Sequence, residues 1–493
     1  MDFKKSFISL FACILVVLST TTIVLSAETT ATQEADTYLD DFEESGDLDD
    51  FEDSEDTDDF QTTEGQVLSQ NEPAESDAPE KESIYNLKGD FTVSIIDNIA
   101  HEKPPAGQTD WRGLSSLKSE LFLELDVDLP ASWKFKISGS GFYDSAFSIN
   151  DRSDYTDEVL NDDELGGELR KAFLSGSITD NIDIKTGRQI VVWGKSDNIR
   201  VTDVLNPVNI KTPGMTDLED IRLPVFMTKI DYYSGPWNLS GIAVHEKRFN
   251  KIPSFGSDYY FYPLDIPENE PSDNFENMEF AVSLNGTFTG WDASLYYADF
   301  YDKTPYFSIL DPMLAQFELL YSHQTMVGAD INIALGNFLL KSEVAYFKSV
   351  DFSDYISGFT PVFVQQPYSK TKTLGGVEYT GFTDTTMSLE IMNNHVKEFD
   401  STAKAAQINR NSWETAIRIN RDFFNEKLSA TFLALLYGKS FDEGSIYRAY
   451  CDYDLTDNFT ITGGAVFYDG SEMVLLNNYQ DNDRIYTHFE YSF

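Results

Sequence analysis

Residues able to do chemistry are plentiful in this 493-residue chain, but they are not grouped as catalysis needs them. The five histidines, His101, His245, His323, His395 and His488, fall in no HxxxH or HxH spacing, so no metal centre is expected. No Gly-x-Ser-x-Gly elbow is present; Gly139-Ser140-Gly141 reads as strand punctuation, and an embedded hydrolase is a remote reading. Cys13 lies in the leader, which leaves Cys451 alone, with neither a disulfide nor a thiolate metal site to form. Gly-rich phosphate loops are absent, and no cofactor is expected. Carboxylates are so numerous, within a net charge of -47, that no pair stands out, and binding to nucleic acid is excluded on charge.

The charges gain meaning from what they alternate with. In 118–129, Ser119, Leu121, Leu123, Leu125, Val127 and Leu129 interleave with Lys118, Glu120, Phe122, Glu124, Asp126 and Asp128. One face is hydrocarbon and the other largely charged, a period of two that no helix reproduces. Similar runs start at Met278, Val327 and Trp413. Strands of about ten residues suit a tilted bilayer crossing. On this reading Lys118, Glu120, Glu124, Asp126, Lys134, Lys136, Lys341, Glu343, Glu414 and Arg418 face a lumen, as a salt-bridged wall or as selectivity groups.

The connections have a matching rhythm. Very short turns (Pro130-Ala131, Thr179 to Asn181, Gly235-Pro236, Gly290, Gly336-Asn337, Gly381 to Thr383, Asp422 to Asn425, Thr456 to Asn458) alternate with long polar loops near 98–117, 144–166, 194–223, 246–275, 302–322, 349–370, 396–410 and 469–482. Short periplasmic turns and long extracellular loops are the outer-membrane arrangement. The fold expected is an all-β, transmembrane antiparallel barrel of about 18 strands (16 if two weak ones are dropped) over residues 85–493. A soluble sandwich is disfavoured, because the apolar faces are too many for one dry core.

Residues 1–27 read as a secretory signal, with Lys4 and Lys5 before an apolar core and Ser26 or Ala27 at the cleavage site. Residues 28–84 read as a disordered acidic arm: 28–82 carry 22 Asp/Glu against Lys81 alone. A nine-residue repeat begins at Asp40, Asp49 and Asp58, and Phe42, Phe51 and Phe60 could anchor on a basic periplasmic partner or the arm could gather Ca²⁺ weakly. Ile485, Phe489, Tyr491 and Phe493 share one face at the C-terminus, a pattern resembling the signal read by the barrel-assembly machinery of Gram-negative outer membranes.

The stretch Gly187 to Met227 draws these features together. Its order GRQ-x-V-x-WG, then NP, then R-x-P-x-x-M resembles the outer-membrane family described as domain of unknown function 1302, on Arg188, Trp193, Gly194, Asn206, Pro207, Arg222, Pro224 and Met227. The resemblance implies a porin-like barrel and small, hydrophobic or lipid-like cargo. The acidic arm departs from that family. With Ile182 and Ile184 facing lipid, strict alternation would place Arg188 in lipid at roughly 2–4 kcal/mol near the midplane. A bulge at Gly187 would instead turn Arg188 inward and Val191 and Trp193 outward. The bulge is the reading favoured here, with Arg188 reaching Asp203, Asp217, Glu219 or Asp220 and holding an apolar loop inside the pore. The equal alternative is that Arg188 and Trp193 only fix register. The function expected is a channel or export partner in contact with outer-membrane lipid. The alternative is a plugged docking barrel whose arm or loops bind partners or divalent cations.

Overall fold

The computed structural model describes residues 84–493, apart from 106, 273–276, 315, 358–359 and 472–473. The expected leader and almost all of the acidic arm lie outside the described residues. The strands in chain order are β1 (Tyr85–Asn98), β2 (Gly113–Leu129), β3 (Trp133–Asp144), β4 (Leu165–Thr179), β5 (Ile182–Gln189), β6 (Val225–Ser234), β7 (Trp237–Val244), β8 (Glu279–Phe288) and β9 (Trp291–Tyr301). There follow β10 (Tyr306–Asp311), β11 (Gln316–Leu320), β12 (His323–Leu335), β13 (Phe338–Val350), β14 (Tyr355–Ser357), β15 (Thr360–Val362), β16 (Tyr368–Phe382) and β17 (Thr385–Val396). The last five are β18 (Asn411–Phe423), β19 (Leu428–Tyr437), β20 (Gly444–Thr456), β21 (Phe459–Gly470) and β22 (Arg484–Ser492).

Eighteen of these form one antiparallel sheet, each strand paired with its neighbours in sequence, and β1 pairs with both β2 and β22, so the sheet closes. The predicted count of 18 is therefore observed. The connections 302–322 and 349–370, expected as long polar loops, are not loop throughout. They carry the small hairpins β10–β11 and β14–β15, in which apolar residues come opposite one another, Phe307 to Leu319, Ile309 to Phe317 and Tyr355 to Val362.

Closure explains the alternation. Hydrocarbon cannot solvate an unpaired amide, so only a sheet without edges can cross with strands. The outer face is then free to be apolar: Leu121, Val282, Leu295 and Val327 are exposed there. Their sequence neighbours Glu120, Ala281, Tyr296 and Met326 point inward. Aromatic pairs gather beside the short turns, with Phe288 stacked on Trp291 at 4.2 Å, Phe338 against Tyr379 at 4.6 Å and Tyr491 stacked on Phe493 at 6.3 Å. Amphipathic rings of this kind suit a membrane–water interface.

Candidate functional site: an inward loop and the lumen wall

The 190–224 loop between β5 and β6 turns into the barrel. Val191, Trp193, Ile199, Val201 and Leu205 are buried against inward residues of the wall, among them Met227, Ala281, Tyr296, Met326, Phe347, Leu374 and Met392. Trp193 stacks on Tyr296 with centroids 4.7 Å apart. Burying that much apolar surface at about 25 cal/mol per Å² is ample reason for the loop to leave water. The expectation that Val191 and Trp193 face outward is overturned.

The reason lies at Gly187. Strand β5 pairs with β4 and β6 without a register shift there, so no bulge forms. The irregularity sits one strand away, in β4 opposite Ser138, whose hydroxyl accepts from the Lys171 backbone N–H at 3.2 Å. Arg188 consequently lies opposite Ala172 and the exposed Phe226, on the outward face. It avoids the cost of burial in lipid because it is the penultimate residue of its strand, at the rim, where the penalty for a cation is small. Its partners are Glu246 at 2.8 Å and the Leu169 carbonyl at 3.2 Å, with Glu168 3.9 Å away, in place of the expected loop acids. Gly187 itself has φ +130°, and a Cβ there would lie 2.3 Å from the Ala172 carbonyl oxygen, so glycine is required for close backbone approach.

Asn206 ties the two feet of the loop together. Its Oδ1 accepts from Val191 N–H at 2.8 Å, and its Nδ2 donates to the Leu223 carbonyl at 2.9 Å. Leu223 N–H donates to the Pro207 carbonyl at 2.7 Å, and the Pro224 carbonyl accepts from Arg248 at 3.0 Å. Arg222 donates to Asp203 at 3.0 Å, with both side chains buried. These family-matching positions thus build the base of the loop.

What pins the loop to the far wall is a set of carboxylates. Glu343 of β13 accepts from the backbone N–H groups of Lys195 (2.6 Å), Ser196 (2.7 Å) and Thr202 (3.3 Å) and from the Thr202 hydroxyl (3.0 Å). Gly194, at φ +91°, makes the approach possible: a Cβ there would stand 2.7 Å from Glu343 Oε2. Glu390 of β17 accepts from the N–H groups of Asp197 (3.0 Å) and Asn198 (3.1 Å) and from the Ser196 hydroxyl (2.8 Å). Lys341 pairs with Asp197 at 2.5 Å and Lys195 with Asp292 at 2.6 Å. At the tip, Asp217 meets Arg418 at 3.0 Å, Tyr450 at 3.1 Å and Arg448. Charge-assisted bonds to buried groups are the strong kind.

The remaining lumen candidates sit on β2, β3 and β18. Lys136 pairs with Glu124 (3.1 Å) and Asp126 (3.4 Å), and Lys118 with Glu120 (3.1 Å). Lys134 faces Asp128 and Ser175 near the short-turn rim. Glu414 shares the inward face with Met392 and Tyr437. Lys118, Glu120 and Asp126 keep side-chain exposures of 36%, 27% and 34% although they point inward. Phe489 and Tyr491 lie outward beside Val93 and Phe91, and Phe493 exchanges backbone hydrogen bonds with Gly89 at 3.0 and 2.9 Å. Sequence reasoning missed Glu246, Glu390, Arg448 and Tyr450, although the last three stand on the inward face of alternating strands.

Over the long-loop rim, neighbouring segments interlock. Asp258 pairs with Arg484, the Tyr259 hydroxyl lies 2.7 Å from that of Tyr468, and Asn482 donates to the Asp258 carbonyl at 2.9 Å. Burial pushes the Tyr259 phenol up to about 12, so it stays neutral. Lys211 of the inward loop reaches Asp163 at 2.9 Å, a carboxyl raised by burial against the pull of that lysine.

A closed 18-stranded cylinder with an apolar exterior, a charged interior and a loop folded into its bore is a porin-like outer-membrane barrel. The chain belongs to the family described as "Protein of unknown function (DUF1302)", which residues 107–493 match. No curated protein matches it. Among solved structures it is similar to Acinetobacter baumannii OccAB4 (13% identity, TM-score 0.48, 84% of this chain and 99% of that one). It is likewise similar to Acinetobacter baumannii OccAB1 (10%, 0.48, 85% and 99%) and to a BenF-like porin from Pseudomonas fluorescens Pf-5 (9%, 0.46, 84% and 98%).

Proposed function

We propose that the barrel is a passive outer-membrane conduit for small solutes, with a bore partitioned by the 190–224 loop and passage along the wall formed by β22 and β1–β4. The observation that carries this reading is the water-reachable state of inward Lys118, Glu120 and Asp126. Hydrophobic or lipid-like cargo, implied by family resemblance, would call for an apolar lining. The loop's apolar side chains are instead consumed against the wall, which favours polar solutes. The second reading, a sealed barrel used for docking, is favoured by the interlocked loops at the long-loop rim. Export by a signal cleaved at Ser26 or Ala27, insertion guided by Phe489, Tyr491 and Phe493, and docking of the acidic arm on a basic periplasmic partner complete the proposal.

The test is swelling of proteoliposomes in a graded series of neutral sugars, paired with single-channel recording. A conduit admits the smallest sugars and carries steady ion current. Vesicles that stay sealed to every solute would leave docking as the function.

A further inference from the structure

We infer that Arg418, Arg448 and Tyr450 form a carboxylate-binding site on the lumen wall, filled at rest by the loop's own Asp217, for which carboxylate-bearing solutes compete. This deepens the conduit reading and rests on it for its physiological meaning.

The polarity of the contacts carries the argument. In the middle of the loop the wall supplies the acids, Glu343 and Glu390, and the loop supplies N–H groups. A solute cannot take over such a pin, because the donors are backbone. At the tip the arrangement is reversed: the loop supplies one carboxylate and the wall supplies two guanidiniums and a phenol hydroxyl. Asp217 Oδ2 accepts from Arg418 at 3.0 Å and Tyr450 at 3.1 Å, and Oδ1 accepts from Arg448. Each guanidinium gives one N–H to a different carboxylate oxygen and Tyr450 adds a hydroxyl, so three directed donors, two of them charged, converge on one carboxylate.

Three further features fit an exchangeable ligand. Two guanidiniums serve the one carboxylate of Asp217, more donors than a single carboxylate uses. Arg448 is only 3% exposed and its Nε has no hydrogen-bond partner among the described residues, a buried donor still to be satisfied. Arg418 keeps 26% of its side chain exposed, so an incoming solute can reach one cation before Asp217 leaves. The neighbouring tip residues have anchors of their own, the Tyr468 hydroxyl donating to the Pro213 carbonyl and Lys211 pairing with Asp163 at 2.9 Å, so the Asp217 side chain can leave its place without the loop leaving the bore.

A tethered competitor acts at an effective concentration of roughly millimolar. Its removal should therefore uncover the site. The experiment is titration calorimetry on the detergent-solubilised full chain with sodium benzoate and, as the neutral shape control, benzamide. Asp217→Asn is expected to bind benzoate at least tenfold tighter than the wild type, with no gain for benzamide and with the gain abolished in Asp217→Asn/Arg418→Gln. Asp217→Ser serves as the second variant, and heat-modifiable electrophoretic mobility confirms that each barrel is folded. Equal benzoate affinity in wild type and both Asp217 variants, or an equal gain for benzamide, overturns the proposal. The readout is binding, so vesicles sealed to all solutes would sink the conduit reading and leave this one standing.

Discussion

Glu343 and Lys118 point into the same barrel but live in different media. Glu343 is 2% exposed and its carboxylate is fully engaged by the loop backbone, whereas Lys118 keeps 36% of its side chain in water and pairs with a neighbour on its own strand. The wall from β6 to β21 behaves largely like the core of a soluble protein, with apolar side chains from loop and strands in contact and buried carboxylates such as Glu343 hydrogen-bonded to the loop backbone. The wall from β22 through β1 to β4 behaves like a surface. Both are built from the same alternation of apolar and polar residues. The difference is the covering loop: its apolar side chains lie on alanine, methionine, leucine and aromatic residues of the first wall, while Lys118, Glu120, Lys136, Glu124 and Asp126 of the second pair among themselves.

The largest effect should follow from striking the foundation of the covered side. Gly187→Ala would force a Cβ to within 2.3 Å of the Ala172 carbonyl oxygen at a positive φ, in a paired strand that cannot shift alone. A loss above about 4 kcal/mol is expected, read from urea unfolding in micelles; a folded barrel of near-normal stability would contradict the close approach.

Next comes the pin. Glu343→Ala leaves the Lys195, Ser196 and Thr202 N–H groups without their acceptor, a destabilisation of the loop on the order of 3 kcal/mol. Single-channel conductance should rise severalfold with the barrel intact. Unchanged conductance would mean that the loop does not narrow the bore.

On the wet wall the effect should be smaller and of another kind. Lys136→Glu places a third carboxylate beside Glu124 and Asp126 and should raise the cation-over-anion permeability ratio, read from the reversal potential, by a few fold, with a stability loss of about 1–3 kcal/mol. Anion preference, or no shift at all, would show that ions take another route.

Smallest of all is Arg188→Ala. Its guanidinium serves Glu246 and a carbonyl at the outer rim and does not touch the loop acids. A loss of roughly 1 kcal/mol with unaltered conductance is expected; a rise in conductance equal to that of Glu343→Ala would restore the role that sequence first suggested for this arginine.

Much of this was legible beforehand, and the part that was not has a physical cause. Period-two runs such as 118–129 display both faces of a strand at once, and turn lengths order the strands, so closure and strand number followed. Arg188 was misplaced because an unfavourable residue on a lipid face invited a local remedy at Gly187. The actual remedy was position: the strand ends one residue later, and Glu246 arrives from 58 residues away. Such pairings depend on which strands become neighbours at the rim, and spacing does not encode that. Glu390 and Arg448 were overlooked for a similar reason, since every inward charge looks alike until the loop selects a few.

The joint between β1 and β22 brings Thr92 beside Glu490, 398 residues apart, and Phe493 beside Gly89. Contacts of such separation are slow to find, because nearly the whole polypeptide must be ordered before they reward it. An unclosed intermediate would display two long lines of bare amides to the membrane interior. Copies still open at that seam are expected to need those lines shielded until the final stitch, and a chain cut short by one strand is expected to be degraded rather than inserted as a smaller ring.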